Sequence, residues 1–171
     1  ILTDLSRFVF SDELRELHKY RRSFHDDGRD MVRYIRYLWE QAQQHGLALR
    51  LMAGIAQMTP GNHLEDISGA IEDVCVKYGY GMVRNYGGHG VGRKPHEPPF
   101  IHNFRTGERG PKLEEGAVLA IEPMFNLGGD DVYTADDNWT VITTDHQPSA
   151  HFEHTVAIGK DGPEVLTKLP L

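Results

Sequence analysis

Four glycines surround His89 in the stretch GGHGVG, which covers residues 87–92. Glycine loses more backbone entropy on ordering than any other residue, so a glycine-rich ordered segment needs a structural reason. The sequence leaves three reasons open: a backbone with positive φ, the close approach of another group, or a plain turn. Each of them predicts a tightly turned or tightly packed backbone beside this histidine.

Helical periodicity dominates the chain before this motif. Residues 1–46 predict two amphipathic helices, the first capped by Ser11 and the second with an apolar stripe from residue 31 to residue 42. Residues 47–58 continue the helical pattern, and Asn62 begins a predicted capping box for another helix. That helix is predicted to end at Gly79 and to bury a stripe formed by Leu64, Ile67, Ile71, Val74 and Tyr78, with Cys75 beside it as a small buried residue.

Short strands and turns are predicted after this helix. The predicted strands cover residues 81–86, 118–125, 139–144 and 150–158, with turns at residues 128–131 and 145–148. Residues 93–116, which carry prolines, glycines and charges, are predicted to form a long surface loop.

The pattern as a whole predicts an α/β (α+β) fold that forms one compact domain overall. Within it, residues 1–46 are predicted to form an atypical helical N-terminal segment, and residues 47–171 carry the strands.

Charge and cysteine content exclude several classes of protein. A formal net charge of -7 argues against a nucleic-acid partner. No apolar run approaches the roughly 20 residues that a membrane-spanning helix needs, so no membrane contact is expected. The single cysteine rules out an internal disulfide and fits a reducing compartment, which predicts a cytoplasmic location.

Two glutamates lie in apolar, strand-like surroundings. Glu122 stands within LAIEPM and Glu153 within AHFEHT. A lone buried carboxylate is costly, so each must be paired, protonated or bound to a metal. For Glu122 the alternatives are a salt bridge or an outward-facing strand position. In the second strand, alternation puts His151 and Thr155 on the same face as Glu153.

Together with His89, these acids predict an oxygen-and-nitrogen metal site. Carboxylates and imidazole suit divalent Mn, Fe, Co or Zn. His96, in KPHEPP, is a candidate for contact with substrate or for acid–base chemistry. The alternative for His96 is a solvent-exposed loop histidine, and His102 is less informative still.

Four segments together resemble a known family: GGHGVGRKPHEPP, LAIEPMFNLGG, DDNWTVITTD and SAHFEHTVAIG. In order and spacing they resemble the second half of a bacterial-type methionine aminopeptidase, of metallopeptidase family M24. The resemblance covers residues 47–169. It implies a shortened form of the pita-bread fold and a dinuclear metal centre that removes the N-terminal methionine from nascent proteins.

The resemblance also implies roles for individual residues. His89 and Glu122 would be terminal metal ligands, and Glu153 would bridge the two metals. Glu122 would also be the catalytic carboxylate that moves a proton. His96 would contact the scissile carbonyl, and Trp139 would line the methionine pocket.

The first half of the family pattern supplies two aspartate ligands that residues 1–46 do not match. HDDGRD, at residues 25–30, holds Asp26, Asp27 and Asp30, but it lies between two predicted helices. Three functions therefore stay open: a metallopeptidase, a peptidase-like binding protein without turnover, and a chain that needs a second chain to complete its site. The partners considered are nascent proteins, the ribosome and a partner chain.

Overall fold

The computed structural model describes residues 47–168 of the 171-residue chain. Two helices come first: α1 spans Leu47–Ile55 and α2 spans Leu64–Tyr78. No helix in this part of the chain is long and apolar enough to cross a membrane. The two predicted N-terminal helices and the aspartates of residues 25–30 lie outside the described residues. The division at residue 46 therefore stays a prediction.

Both ends of α2 are defined by local hydrogen bonds. At the start, the Asp66 carboxylate accepts a 2.8 Å hydrogen bond from the backbone N–H of His63. The predicted start one residue earlier is wrong, because the Asn62 side chain donates instead to a carbonyl five residues before it. At the end, Gly79 has φ 67°, a left-handed conformation that glycine adopts without steric cost.

One face of α2 is buried in the core, as its apolar stripe predicts. Ile67 and Ile71 are fully buried, while Tyr78 at the last turn is exposed, so the stripe ends one turn earlier than predicted. Cys75 is buried, as predicted, and its Sγ lies 2.9 Å from the carbonyl oxygen of Tyr80, which accepts its hydrogen.

In the described part of the chain ten short strands follow the helices, and every pair among them is antiparallel. Their bounds are β1 Gly81–Met82, β2 Gly88–Gly90, β3 Glu97–Ile101, β4 Val118–Ile121, β5 Met124–Asn126, β6 Val132–Thr134, β7 Val141–Thr143, β8 Ser149–His151, β9 His154–Gly159 and β10 Gly162–Val165. They form a five-stranded sheet in the order β10-β9-β4-β2-β3, a three-stranded sheet β1-β5-β8 and a two-stranded sheet β6-β7.

The observed strands are shorter than the predicted ones. The predicted strands 118–125 and 150–158 are each interrupted for two residues, and β1 covers only two of the residues 81–86. Pro123 explains one interruption, because proline has no N–H to donate to a sheet. The predicted surface loop 93–116 is also wrong in part, since it contains β3.

The core lies on one face of the five-stranded sheet. Leu119 and Ile121 of β4 belong to the same buried cluster as residues of both helices and of β9. Because side chains alternate along a strand, Ala120 and the residue after Ile121 face the opposite way. The fold therefore keeps the face of the sheet that bears Glu122 away from the helices.

Candidate metal centre

The glycines around His89 admit close neighbours rather than a left-handed backbone. Gly87, Gly88, Gly90 and Gly92 are not among the described glycines with positive φ. An added Cβ would overlap a carbonyl oxygen of an adjacent strand at three of them: that of Ile101 at Gly87, that of Ala120 at Gly88 and that of Pro98 at Gly90. Of the three reasons that the sequence left open, close approach is confirmed.

His89 lies in β2 with a neighbouring strand on each side. It pairs with Ala120 of β4 and with Phe100 of β3, where the register shifts in a β-bulge just after the histidine. Glu122 comes two residues after Ala120 and is therefore a diagonal neighbour of His89 on the same face. The sheet itself brings this histidine and this carboxylate together.

Glu122 and Glu153 lie in matching interruptions of two paired strands. β4 pairs with β9 before the interruption and β5 pairs with β8 after it, in the same register. Glu122 consequently stands opposite Glu153, and Pro123 stands opposite Phe152. Like charges directly opposite each other destabilise a sheet, so this carboxylate pair calls for a compensating cation or proton.

The tautomer of His89 follows from its backbone contact. Its Nδ1 lies 2.9 Å from the carbonyl oxygen of Gly90, which can only accept a hydrogen bond. Nδ1 therefore carries the hydrogen, and in the neutral ring the lone pair of Nε2 points away from the backbone. That Nε2 lies 3.3 Å from Glu122 Oε1, and both side chains are only 14% exposed.

This donor set suits a divalent metal ion. An imidazole nitrogen and a carboxylate oxygen are both donors that such ions accept, and here one of each lies 3.3 Å apart. A backbone carbonyl that fixes the ring of a histidine ligand is also a common feature of metal sites. Within residues 47–168, however, no group of three or more histidine, cysteine or acidic side chains is close enough to hold an ion as placed.

A cavity of about 220 Å³ joins the predicted site residues. It is lined by His89, Val91, Pro95, His96, Glu122, Glu153 and Thr155. The rings of His89 and His96 lie with their centroids 4.0 Å apart, although His96 sits on an exposed loop. The structure therefore brings together four of the five predicted site residues.

His151 is a neighbour of Glu122 that the sequence-based site omits. Its Nε2 lies 3.3 Å from Glu122 Oε2, with its side chain 47% exposed. The signal was present in the sequence, because alternation placed His151 on the same face as Glu153. Thr155, which lines the cavity, lies on that face too.

Trp139 is the predicted site residue that does not line this cavity. It lies between β6 and β7 with 86% of its surface exposed. Asp137 holds this turn: hydrogen bonds from the Thr140 hydroxyl and from the Thr140 and Trp139 N–H groups lower the pKa of its carboxyl. The assignment of Trp139 to a methionine pocket stays a prediction.

A larger cavity, of about 360 Å³, lies between α2 and β3. Its lining includes Ser68 and His102 but neither of the facing glutamates. Volume alone would favour this cavity. The chemistry favours the smaller one, because that cavity holds the carboxylate pair and the imidazole beside it.

Comparison with known proteins shows which family the sequence matches. The model of metallopeptidase family M24 matches residues 30–160. The chain is 52% identical over 114 residues to the methionine aminopeptidase of Clostridium perfringens, covering 67% of this chain and 46% of that protein. It is 50% identical over 123 residues to methionine aminopeptidase 1 of Mycobacterium tuberculosis, covering 68% and 46%.

A solved structure shows the same fold. The methionine aminopeptidase of Thermotoga maritima superposes with a TM-score of 0.69 at 42% identity, covering 71% of this chain and 49% of that one. The predicted pita-bread fold is confirmed by this likeness. The chain spans about half the length of the curated relatives that it matches.

Proposed function

Because the chain belongs to metallopeptidase family M24, we propose that it serves as a metal-dependent aminopeptidase, which removes the N-terminal methionine from nascent proteins. The observation that carries the proposal is the placement of Glu122 opposite Glu153, with His89 beside them in one cavity. Relatives named methionine aminopeptidase, which are about half identical over the matched region, support the same activity.

His89, Glu122 and Glu153 are the residues that would hold the metal. Their imidazole and carboxylate donors suit divalent Co, Mn, Fe or Zn. A divalent metal bound there supplies Lewis-acid polarisation of the scissile peptide group. The bound metal would in turn stabilise the facing carboxylates, because a divalent cation offsets their mutual repulsion.

The other steps fall to side chains of this chain. His96, at the rim of the cavity, would bind the scissile carbonyl oxygen and orient the peptide bond. The Glu122 carboxylate would take a proton from the attacking water and deliver it to the leaving amine. Trp139 would contact the methionine side chain, which requires the β6–β7 turn to approach the substrate.

The biological setting is part of the same proposal. Nascent proteins as substrates imply a cytoplasmic location and contact with the ribosome. Because the region matched here covers only 46% of each relative's length, a partner chain that supplies further ligands also belongs to the proposal. The net charge of -7 is the reason for expecting no nucleic-acid substrate.

Metal titration and peptide hydrolysis in one sample test the proposal. The chain is titrated with Mn or Co by calorimetry, and methionine release from a Met-Ala-Ser peptide is then measured. Saturable metal binding together with methionine release would support an active aminopeptidase. Metal binding without release at any protein concentration would indicate a peptidase-like binding protein. Release that rises more steeply than protein concentration would indicate completion by a second chain.

A further inference from the structure

The Oε2 atom of Glu122 faces an imidazole that the proposed reaction does not use. His89 Nε2 lies 3.3 Å from Glu122 Oε1, and His151 Nε2 lies 3.3 Å from Oε2. We propose that His151 is a positioning residue, whose Nε2 would present a hydrogen to Oε2 and so keep Oε1 turned toward His89. The inference deepens the proposed function, because a fixed Oε1 is what metal binding at this site requires.

The two histidines differ in what they can offer the carboxylate. The Gly90 carbonyl fixes the hydrogen of His89 on Nδ1, so His89 presents a lone pair to Oε1. Within residues 47–168 the polar contact of the His151 ring is with Glu122. Its Nε2 can therefore carry the hydrogen in the neutral ring, and the positioning role needs no change in its charge.

Glu122 needs such a donor because its side chain is largely removed from water. It is only 14% exposed, and no hydrogen bond to its carboxylate is found within the described residues. Carboxylates that bind metals are themselves held by hydrogen bonds from outer groups. At 3.3 Å the contact is longer than the 2.7–2.9 Å typical of a charge-assisted hydrogen bond, as often holds for catalytic contacts before substrate binds.

The position of His151 follows from the strand register. His151 is the last residue of β8 and lies two residues before Glu153, on the same face. Because Glu153 stands opposite Glu122, His151 is a diagonal neighbour of Glu122 across the interruption. One pairing thus aligns the two acids and places the His151 ring beside Oε2 of Glu122.

The first test uses the metal-free chain and needs no activity. Long-range ¹⁵N–¹H correlation spectra identify which ring nitrogen of each histidine carries hydrogen, and the His151→Gln spectrum assigns the His151 signals. We expect His151 to carry hydrogen on Nε2, with a ¹⁵N shift that changes in Glu122→Gln. Hydrogen on Nδ1, or an Nε2 signal indifferent to Glu122→Gln, would overturn the proposal.

The second test separates positioning from direct metal binding. Calorimetric titration with Mn compares wild type, His151→Gln, which keeps an N–H donor, and His151→Leu, which has none. We expect His151→Leu to bind Mn about 10- to 100-fold more weakly, the usual cost of losing an outer partner, and His151→Gln to stay within about threefold of wild type. His146→Asn, which removes an exposed histidine outside the cavity, should bind as wild type does.

Each other result of the titration has a defined meaning. Equal losses in His151→Gln and His151→Leu would make His151 a ligand itself and overturn the positioning role. Wild-type affinity in His151→Leu would also overturn it. If wild type binds no Mn, the proposed metal site fails instead, and the ring tautomer of His151 in the metal-free chain alone decides the positioning role.

Discussion

The strands that contain His89 or directly flank Glu122 and Glu153 are held differently from the hairpin that carries Trp139. β2, β4 and β9 each have a neighbour on both sides in the five-stranded sheet. Among residues 47–168, β6 and β7 pair only with each other, and the hairpin exposes large apolar side chains, namely Tyr133, Trp139 and Val141. The candidate ligands thus lie where neighbouring backbones fix their separations, whereas the candidate pocket residue is positioned mainly by local hydrogen bonds.

The contrast matters for chemistry. Ligands and proton-transfer groups must be held within a fraction of an ångström to act, and residues on paired strands meet that demand better than residues on a turn. A side chain that only contacts an apolar substrate group tolerates more displacement. The predictions below separate these two regions.

Gly88→Ala should have the largest effect on stability, because Gly88 lies in the tightly packed five-stranded sheet. Its Cβ would overlap the carbonyl oxygen of Ala120, which the sheet cannot move cheaply. We expect a loss of about 3 kcal/mol in the free energy of unfolding, the upper range for overpacking, and weaker metal binding. Urea unfolding measures the first effect and Mn titration the second. Gly129→Ala is the matched control, since its Cβ would meet only ordinary contacts, and an equal loss there would refute the packing argument.

Glu153→Gln should weaken metal binding about tenfold or more without destabilising the metal-free chain. The substitution removes one donor charge, and it also removes the repulsion between the two facing carboxylates. Calorimetry with Mn and urea unfolding without metal check the two halves of this expectation. Glu164→Gln, on the exposed side of β10, is the control. Unchanged metal affinity in Glu153→Gln would show that the site is assigned wrongly.

Asp130→Asn should lower the free energy of unfolding by about 1 kcal/mol at neutral pH, because Asp130 connects β1 by hydrogen bonds to the loop that leads into the hairpin. Burial raises the pKa of the Asp130 carboxyl, but hydrogen bonds from Met82 N–H and from the Arg84 side chain, both 2.9 Å, lower it overall. A lowered pKa in the folded state stabilises the protein above the unfolded value of about 3.9, and this contribution disappears as the pH falls through the folded value.

The pH dependence of unfolding tests whether the charged Asp130 carboxylate stabilises this loop. The difference in unfolding free energy between wild type and Asp130→Asn should be full at pH 7 and should shrink below about pH 4. Asp131→Asn, at the next and exposed position, serves as the control. A difference that stays constant down to pH 2 would show that the carboxylate charge is not what holds this loop.

Trp139→Ala should have the smallest effect on stability, within about 0.5 kcal/mol, because the side chain is 86% exposed. Thermal unfolding checks this part. If Trp139 contacts the methionine side chain of the substrate, the KM for Met-Ala-Ser should rise while the melting temperature stays the same. A marked drop in melting temperature would instead show that the hairpin depends on this ring.

The sequence was a better guide to chemistry than to strand boundaries. The spacing of acids and histidines pointed to His89, His96, Glu122 and Glu153, which the fold brings to one cavity. Burial of Cys75 and the end of α2 at Gly79 also followed from local rules. These features depend on residue type and short-range periodicity, which a single sequence displays.

Features that depend on distant partners were missed or misjudged. Glu122 and Glu153 face each other because two strands share one register, and no local pattern shows that register. The reason for Gly88 is a carbonyl oxygen of another strand, so the sequence could only offer alternatives. Pro123 was the one local sign that the strand breaks beside Glu122, and its missing N–H explains that break.

The shared register across the interruption makes β4–β5 and β8–β9 the two legs of a single long hairpin stem. The facing acids belong to this stem, and residues 127–148 form its tip. The tip can therefore change in length or be exchanged without altering the separation of the acids. An insertion of one residue within a leg is different, because it would turn one carboxylate to the opposite face of the sheet. Sequence variation that leaves the two acids in place is accordingly expected in the tip and not in the legs.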